Sequence, residues 1–158
     1  MEEAANILRT ILSKMGVEHE VVPSETEERI TLEVKGPETG LVIGKKGATL
    51  DSLQYLVNKI VSKKLGEGEG KPISVDAEGY RERRAESLVE LAHKLADKAK
   101  KTGRPVACDP MSAADRRIIH VTLANMPGLT TRSEGEGIYR HLVVIPTRDG
   151  DGGGAAGQ

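Results

Sequence analysis

"LVIGKKGATLDSLQYLVNKIV", Leu41 to Val61, sets two glycines and two lysines between an apolar tripeptide and an amphipathic run. Gly44 and Gly47 bracket Lys45 and Lys46. Glycine permits the positive φ and the close backbone approach that a tight turn beside a ligand requires. From Ala48 onward, Leu50, Leu53, Leu56, Val57, Ile60 and Val61 recur at helical spacing, which predicts a helix over 48–64 with Gly66 as its stop. The turn therefore feeds a helix N-terminus, where unsatisfied N–H groups and the positive dipole end favour an anion. Lys45 and Lys46 add point charge, and a phosphodiester suits such a place, although these residues alone do not name the anion.

Two mononucleotide patterns fail on these residues. The triphosphate-binding loop needs four residues between its glycines and a hydroxyl after its lysine. Here Gly40 and Gly44 enclose three residues, and Lys46 stands in the hydroxyl's place. The dinucleotide fingerprint needs glycine two residues before Gly44, where Val42 stands.

Working outward, "EEAANILRTILSKMG" places Ala4, Ile7, Leu8, Ile11, Leu12 and Met15 on one helical face and stops at Gly16. "VEHEVVP" and "RITLEVKG" read as two strands joined by the polar loop "PSETEE", and "PISVDA" as a third strand. One short helical turn is predicted just before Gly44. The long stretch "GYRERRAESLVELAHKLADKAKKTG" puts Leu88, Leu91, Ala92, Leu95 and Ala99 in helical phase. Beyond it, "RPVACDP" reads as a strand, "MSAADRRIIHVTLANMPG" as a helix, "LTTRSEG" as strand or loop, and "IYRHLVVIP" as a strand. Ser112 and Asp115 stand at capping-box spacing. The expected fold class is α+β, with two small domains over 1–78 and 79–147 connected through the long helix, then a disordered tail over 148–158.

Composition limits the functional classes. There are three tyrosines and no Trp or Phe, so the cores must be aliphatic and aromatic stacking platforms are scarce. The net charge of −1 hides an uneven distribution. Residues 1–40 hold nine acids against four bases, whereas residues 79–148 hold eight acids against thirteen bases. Polyanion binding follows the local patch rather than the total. No run is long and apolar enough to insert in a membrane, and the acidic N-terminus does not read as a signal peptide, so a cytoplasmic protein is expected. His19, His93, His120 and His141 are scattered and Cys108 stands alone. No metal or other cofactor is expected, and Cys108 reads as a small packed residue rather than a nucleophile. Arg81, Arg83 and Arg84 read either as a salt-bridged helix start or as an extension of the basic surface.

In "ADRRIIHVTLANMPG", Arg116 and His120 are four residues apart and share one helix face, with Arg117 about 100° round the axis. A guanidinium fork beside an imidazole is able to bind phosphate or stack on a base. Taken by itself, such a pair is more often an ordinary solvated face.

The segment Leu41–Val61 resembles the KH (K-homology) signature, an Ile-Gly-x-x-Gly turn joining two helices with a basic pair in the loop. The preceding helix and hairpin resemble its type II arrangement. "DRRIIHVTLANMPGLTTRSEGEGIYRHLVVIP", Asp115 to Pro146, resembles the R-three-H domain, named for an Arg and a His separated by three residues. The two in this order, over about residues 2–147, resemble the bacterial Jag (SpoIIIJ-associated) family of RNA-binding proteins. Many members carry a further N-terminal Jag domain; this sequence, which starts at the first helix of the KH-like unit, is read as a form without it.

The resemblance implies a single-stranded RNA-binding protein that is not an enzyme. Ile43, Gly44, Lys45, Lys46 and Gly47 would grip the backbone. Arg116, Arg117, His120 and Arg132 would form the second contact, and "TTRSEGEGIYR", Thr130 to Arg140, would be the adjoining loop and strand start. It further implies a regulator of cell elongation, envelope synthesis or sporulation. Single-stranded DNA as a second ligand, and a protein partner or homodimer, stay open. The alternative from another class is a protein-interaction adaptor that reuses nucleic-acid-binding folds.

Overall fold

The computed structural model describes residues 1–147 except 67 and 69. The tail expected to be disordered, 148–158, lies outside the described residues. The fold is mixed α+β with two small three-stranded sheets. Internal contacts divide the chain into two compact units, residues 1–83 and 84 onward. That division lies inside a helix, a few residues past the boundary expected at 78/79.

In the first unit, helix α1 (Glu2–Lys14) ends as Gly16 turns to φ +74°, and Val17 N–H reaches back to the Leu12 carbonyl at 3.2 Å. Strand β1 (Glu20–Glu25) pairs antiparallel with β2 (Ile30–Lys35). The strand runs past Pro23 into the stretch read as loop. An edge strand tolerates a residue with no backbone donor, and β1 lies at the sheet edge. Helix α2 (Thr39–Ile43), a 3₁₀ turn (Lys45–Gly47) and α3 (Ala48–Leu65) then cross over to β3 (Ile73–Ala77), which is parallel to β2. The alternating Ile30, Leu32 and Val34 point into an aliphatic core with Leu8, Leu12, Val42, Leu50, Leu53, Val57 and Val75. Leu56 and Ile60, expected on the buried side of α3, are exposed.

Side chains cover the outer edge of β3. The Asn58 amide accepts from Ile73 N–H at 3.1 Å and donates to Ile73 C=O at 2.7 Å. Gln54 Oε1 accepts from Val75 N–H, and Arg81 Nε donates to Val75 C=O. An edge so occupied presents little backbone for another strand to pair with. Near the same sheet, the Lys71 ammonium hydrogen-bonds the Glu25 carboxylate at 2.7 Å and holds that carboxyl below its ordinary range.

Helix α4 (Tyr80–Thr102) begins in the first unit and continues in the second. There β4 (Val106–Ala107), β6 (His141–Pro146) and β5 (Leu129–Glu134) form an antiparallel sheet in the order β4-β6-β5. Strand β4 is only two residues long, shorter than "RPVACDP" suggested, and Pro105, which has no N–H to give a ladder, stands immediately before it. Helix α5 (Ala113–Leu123) packs on β5. Leu88, Ala92, Leu95, Ala96 and Ala99 of α4 meet Ile119, Leu123, Leu142 and Val144 in the second core. Cys108 sits at its margin, with its sulfur 3.4 Å from Leu142 N–H as an acceptor. The stretch "IYRHLVVIP" is not strand throughout, since Gly137–Tyr139 forms a 3₁₀ turn and the strand starts at His141.

Candidate nucleic-acid interface

At the first candidate site the backbone does the shaping. Gly44 has φ +71° and ψ −173°, a region that is essentially restricted to glycine. A Cβ there would lie 2.8 Å from Thr49 Cβ. Gly47 has φ +81° and ψ +10°, and a Cβ on it would lie 2.8 Å from Tyr80 Cε1. Both glycines are therefore required twice, by conformation and by space. Lys46 is itself left-handed at φ +53°, so the turn curls tightly enough to place both lysines on the outside, where both are exposed.

Helix α3 starts at once after Gly47, so its first-turn N–H groups open toward the turn. Asp51 in that first turn would oppose an anion, but Arg81 Nη1 pairs with its carboxylate at 2.9 Å. Ile43 is half-buried and packs against the core. The exposed apolar residue beside the turn is Leu41, which the sequence reading did not single out; it is 60% exposed.

The second candidate site is built on α5 from its entry onward. Ser112 Oγ accepts from Asp115 N–H at 3.2 Å and caps the helix. The expected capping box is only half made. The Asp115 carboxylate turns away from the cap and takes Arg84 Nε at 3.1 Å and Nη2 at 2.8 Å. Asp115 is nearly buried and Arg84 partly so, which makes this pair a brace between α4 and α5 rather than a surface contact. Arg83 likewise donates to the Glu78 carbonyl. Of the two readings of the arginine-rich start of α4, the ion pairs of Arg81 with Asp51 and of Arg84 with Asp115 fit the salt-bridged helix start.

One turn along α5, Arg116, Arg117 and His120 come together as walls of an open cavity of about 550 Å³. Ala113, Ala114, Thr131, Ser133 and Leu142 complete it. Arg116 Nη1 donates to Met111 C=O at 2.8 Å, while its buried Nε has no hydrogen-bond partner among the described residues. A buried guanidinium N–H without a partner costs free energy. His120 Nδ1 lies 2.5 Å from Thr131 Oγ1, which fixes the ring against β5. Thr131 and Ser133 alternate toward the cavity, and Arg132 between them does not line it. Arg132 is exposed and pairs with Glu134 instead. Three of the four expected residues are thus gathered and Arg132 is not. The Thr-x-Ser alternation on β5 is the sequence signal for Thr131 and Ser133, and it is ambiguous because "LTTRSEG" reads as either strand or loop.

Among the described residues, no three His, Cys, Asp or Glu side chains gather where they could hold a metal ion. No helix among them is long and apolar enough to cross a membrane.

A glycine-shaped turn between two helices, followed by a cationic helix over an antiparallel sheet, defines a pairing of two nucleic-acid-binding domain types. Comparison with known families agrees. Residues 1–69 match the KH domain of KhpA and KhpB, and residues 86–146 match the R-three-H domain. The chain is 43% identical over 135 residues to the RNA-binding protein KhpB of Clostridium symbiosum, covering 85% of this chain and 60% of that protein. It is 36% identical over 150 residues to KhpB of Bacillus subtilis, covering 94% and 71%. Against KhpB of Streptococcus pneumoniae it is 32% identical over 142 residues, covering 90% and 43%. The chain belongs to the KhpB (Jag) family.

Proposed function

We propose that this chain binds single-stranded RNA by equilibrium contact at two places and carries out no covalent chemistry. The observation that carries the reading is the Gly44–Gly47 turn. Its glycines are held open by conformation and by the approach of Thr49 and Tyr80, at the head of an 18-residue helix, with two exposed lysines at the rim. That arrangement suits a sugar-phosphate backbone more than any compact nucleotide. The names of its relatives, RNA-binding proteins, support the same ligand. Arg116, Arg117 and His120 form the second contact, in the unit we take as residues 79–147, with the first in 1–78. Two weak contacts on one chain gain affinity when a single strand reaches both. Single-stranded DNA presents the same phosphates, and we place it as a weaker second ligand. The cytoplasm is the compartment this ligand implies. Regulation of cell elongation, envelope synthesis or sporulation is the role the family resemblance attaches to it.

Binding of short single-stranded RNA, titrated against salt, tests the reading in wild type and in Lys45→Asp/Lys46→Asp. Aspartate tolerates the left-handed conformation at position 46, so the turn should survive. The double variant should bind more weakly, with a log–log salt slope shallower by about 1.4 for two lost phosphate contacts. Equal binding by both proteins would refute the backbone clamp.

A second reading has one observation in its favour. Ile7, Ile11 and Ile60 line an apolar groove between α1 and α3. An adaptor that docks a protein, or a second copy, on that groove is the reading to take up if the wild type binds no strand at any salt.

A further inference from the structure

The two most exposed large apolar residues among those described are adjacent. Ile138 is 83% exposed and Tyr139 is 72% exposed, both in the 3₁₀ turn of the β5–β6 hairpin. A single exposed apolar side chain is unremarkable. Two in sequence, in a chain with only three tyrosines and no other aromatic, require a reason.

The turn that carries them is braced from several directions. Tyr139 N–H donates to Glu136 C=O at 3.1 Å, and Arg140 N–H donates to Gly137 C=O at 3.2 Å. Arg140 Nη1 reaches Gly135 C=O at 2.8 Å, and the His141 ring bonds the Tyr139 carbonyl through Nδ1 at 3.0 Å. A flexible tip would lose its apolar contacts to conformational entropy, whereas a rigid one presents them ready-made.

The turn is also wired to the cationic cavity. Arg140 C=O accepts from Met111 N–H at 3.1 Å, and Met111 C=O accepts from Arg116 Nη1 at 2.8 Å. Two hydrogen bonds through one residue therefore connect the backbone beside Tyr139 to the guanidinium that lines the cavity. We propose that Ile138 and Tyr139 form a base platform at the rim of the α5–β5 cavity, taking a nucleobase of the strand whose phosphate meets Arg116, Arg117 and His120. A flat aromatic face beside an arginine fork is what a single-stranded nucleotide requires, since every base has a π-face and every linkage has a charge. The inference rests on the single-strand reading given above.

The test uses two strands of equal length and charge, an oligouridylate and its fully abasic counterpart, titrated by fluorescence anisotropy against the full chain. Tyr139→Ala should weaken oligouridylate binding by about tenfold, within the range measured for a single stacked base. It should leave the abasic strand and the salt slope unchanged, and Tyr139→Phe should bind both strands like wild type. Thermal unfolding followed by circular dichroism should be the same for wild type and both variants. If Tyr139→Ala binds oligouridylate as wild type does, or loses equally on both strands, the platform is wrong while the backbone contacts stand. If wild type binds neither strand, the platform and the reading beneath it fall together.

Discussion

At Gly44–Gly47 the proposed anion contact is made of backbone, whereas on α5 it is made of side chains. The first has no Cβ at either of its key positions, and two left-handed residues, Lys46 and Gly47, follow Gly44 in sequence. The second takes ordinary helical residues and sets them against a strand, with Thr131 steadying His120 and Met111 steadying Arg116. A backbone site depends on local conformation and fails when a methyl group is added. A side-chain site depends on the position of its helix and fails when the brace of that helix is removed.

That contrast can be broken at each end. The largest effect expected is from Gly44→Ala, which forces a Cβ into a glycine-only region and against Thr49. Strain and overpacking together should cost about 3 kcal/mol. Hydrogen exchange should show the loss in α2, α3 and β3, with the amides of β5 and β6 protected as before. Uniform loss in both units would mean that the turn's strain is not local.

Next in size is Asp115→Ala, which leaves Arg84 partly buried and unpaired at the start of α5. Breaking such a pair should cost about 2 to 3 kcal/mol, below the fully buried case because Arg84 keeps some water. The thermal midpoint should fall, and RNA affinity should fall with it because Arg116 and His120 lose their common register. Unchanged affinity in a destabilised protein would separate the brace from the site.

The smallest stability effects should come from the arginine pair. Arg117→Ala removes an exposed cavity cation and should leave the midpoint in place while shallowing the salt slope by about 0.7. Arg116→Ala should do the same to the slope and also cost about 1 kcal/mol, for the hydrogen bond to Met111. Equal midpoints for the two variants would show that the Met111 contact contributes nothing to stability.

Much of the first unit was legible because its information is contiguous. The periodicity of Leu50, Leu53 and Val57, the alternation of Ile30, Leu32 and Val34, and the placement of Gly44 and Gly47 all act within one or two turns of chain. Leu56 and Ile60 depart from the expected buried side because a helical stripe gives the direction of burial but not its width, which the partner sheet decides. In the second unit, Arg116 and His120 were visible as an i,i+4 pair, and Arg117 was added beside them. The resemblance places Arg132 with them, but alternation along β5 takes it out of the cavity that its neighbours Thr131 and Ser133 line.

The sequence by itself determined where the chain turns, which faces are apolar, and that a charged, glycine-bracketed turn opens a helix. These follow from φ preferences and from periods of two and 3.6 residues, which are properties of the local chain. Only the tertiary structure decided that Arg81 neutralises Asp51, that Asp115 braces Arg84 rather than completing its cap, and that Thr131 meets His120. Those partners lie from eleven to thirty-one residues apart, and the choice among candidate charges and hydroxyls is made by how the helices and sheets pack. The same packing leaves Ile138 and Tyr139 in the open, on a turn braced by the hydrogen bonds of its neighbours.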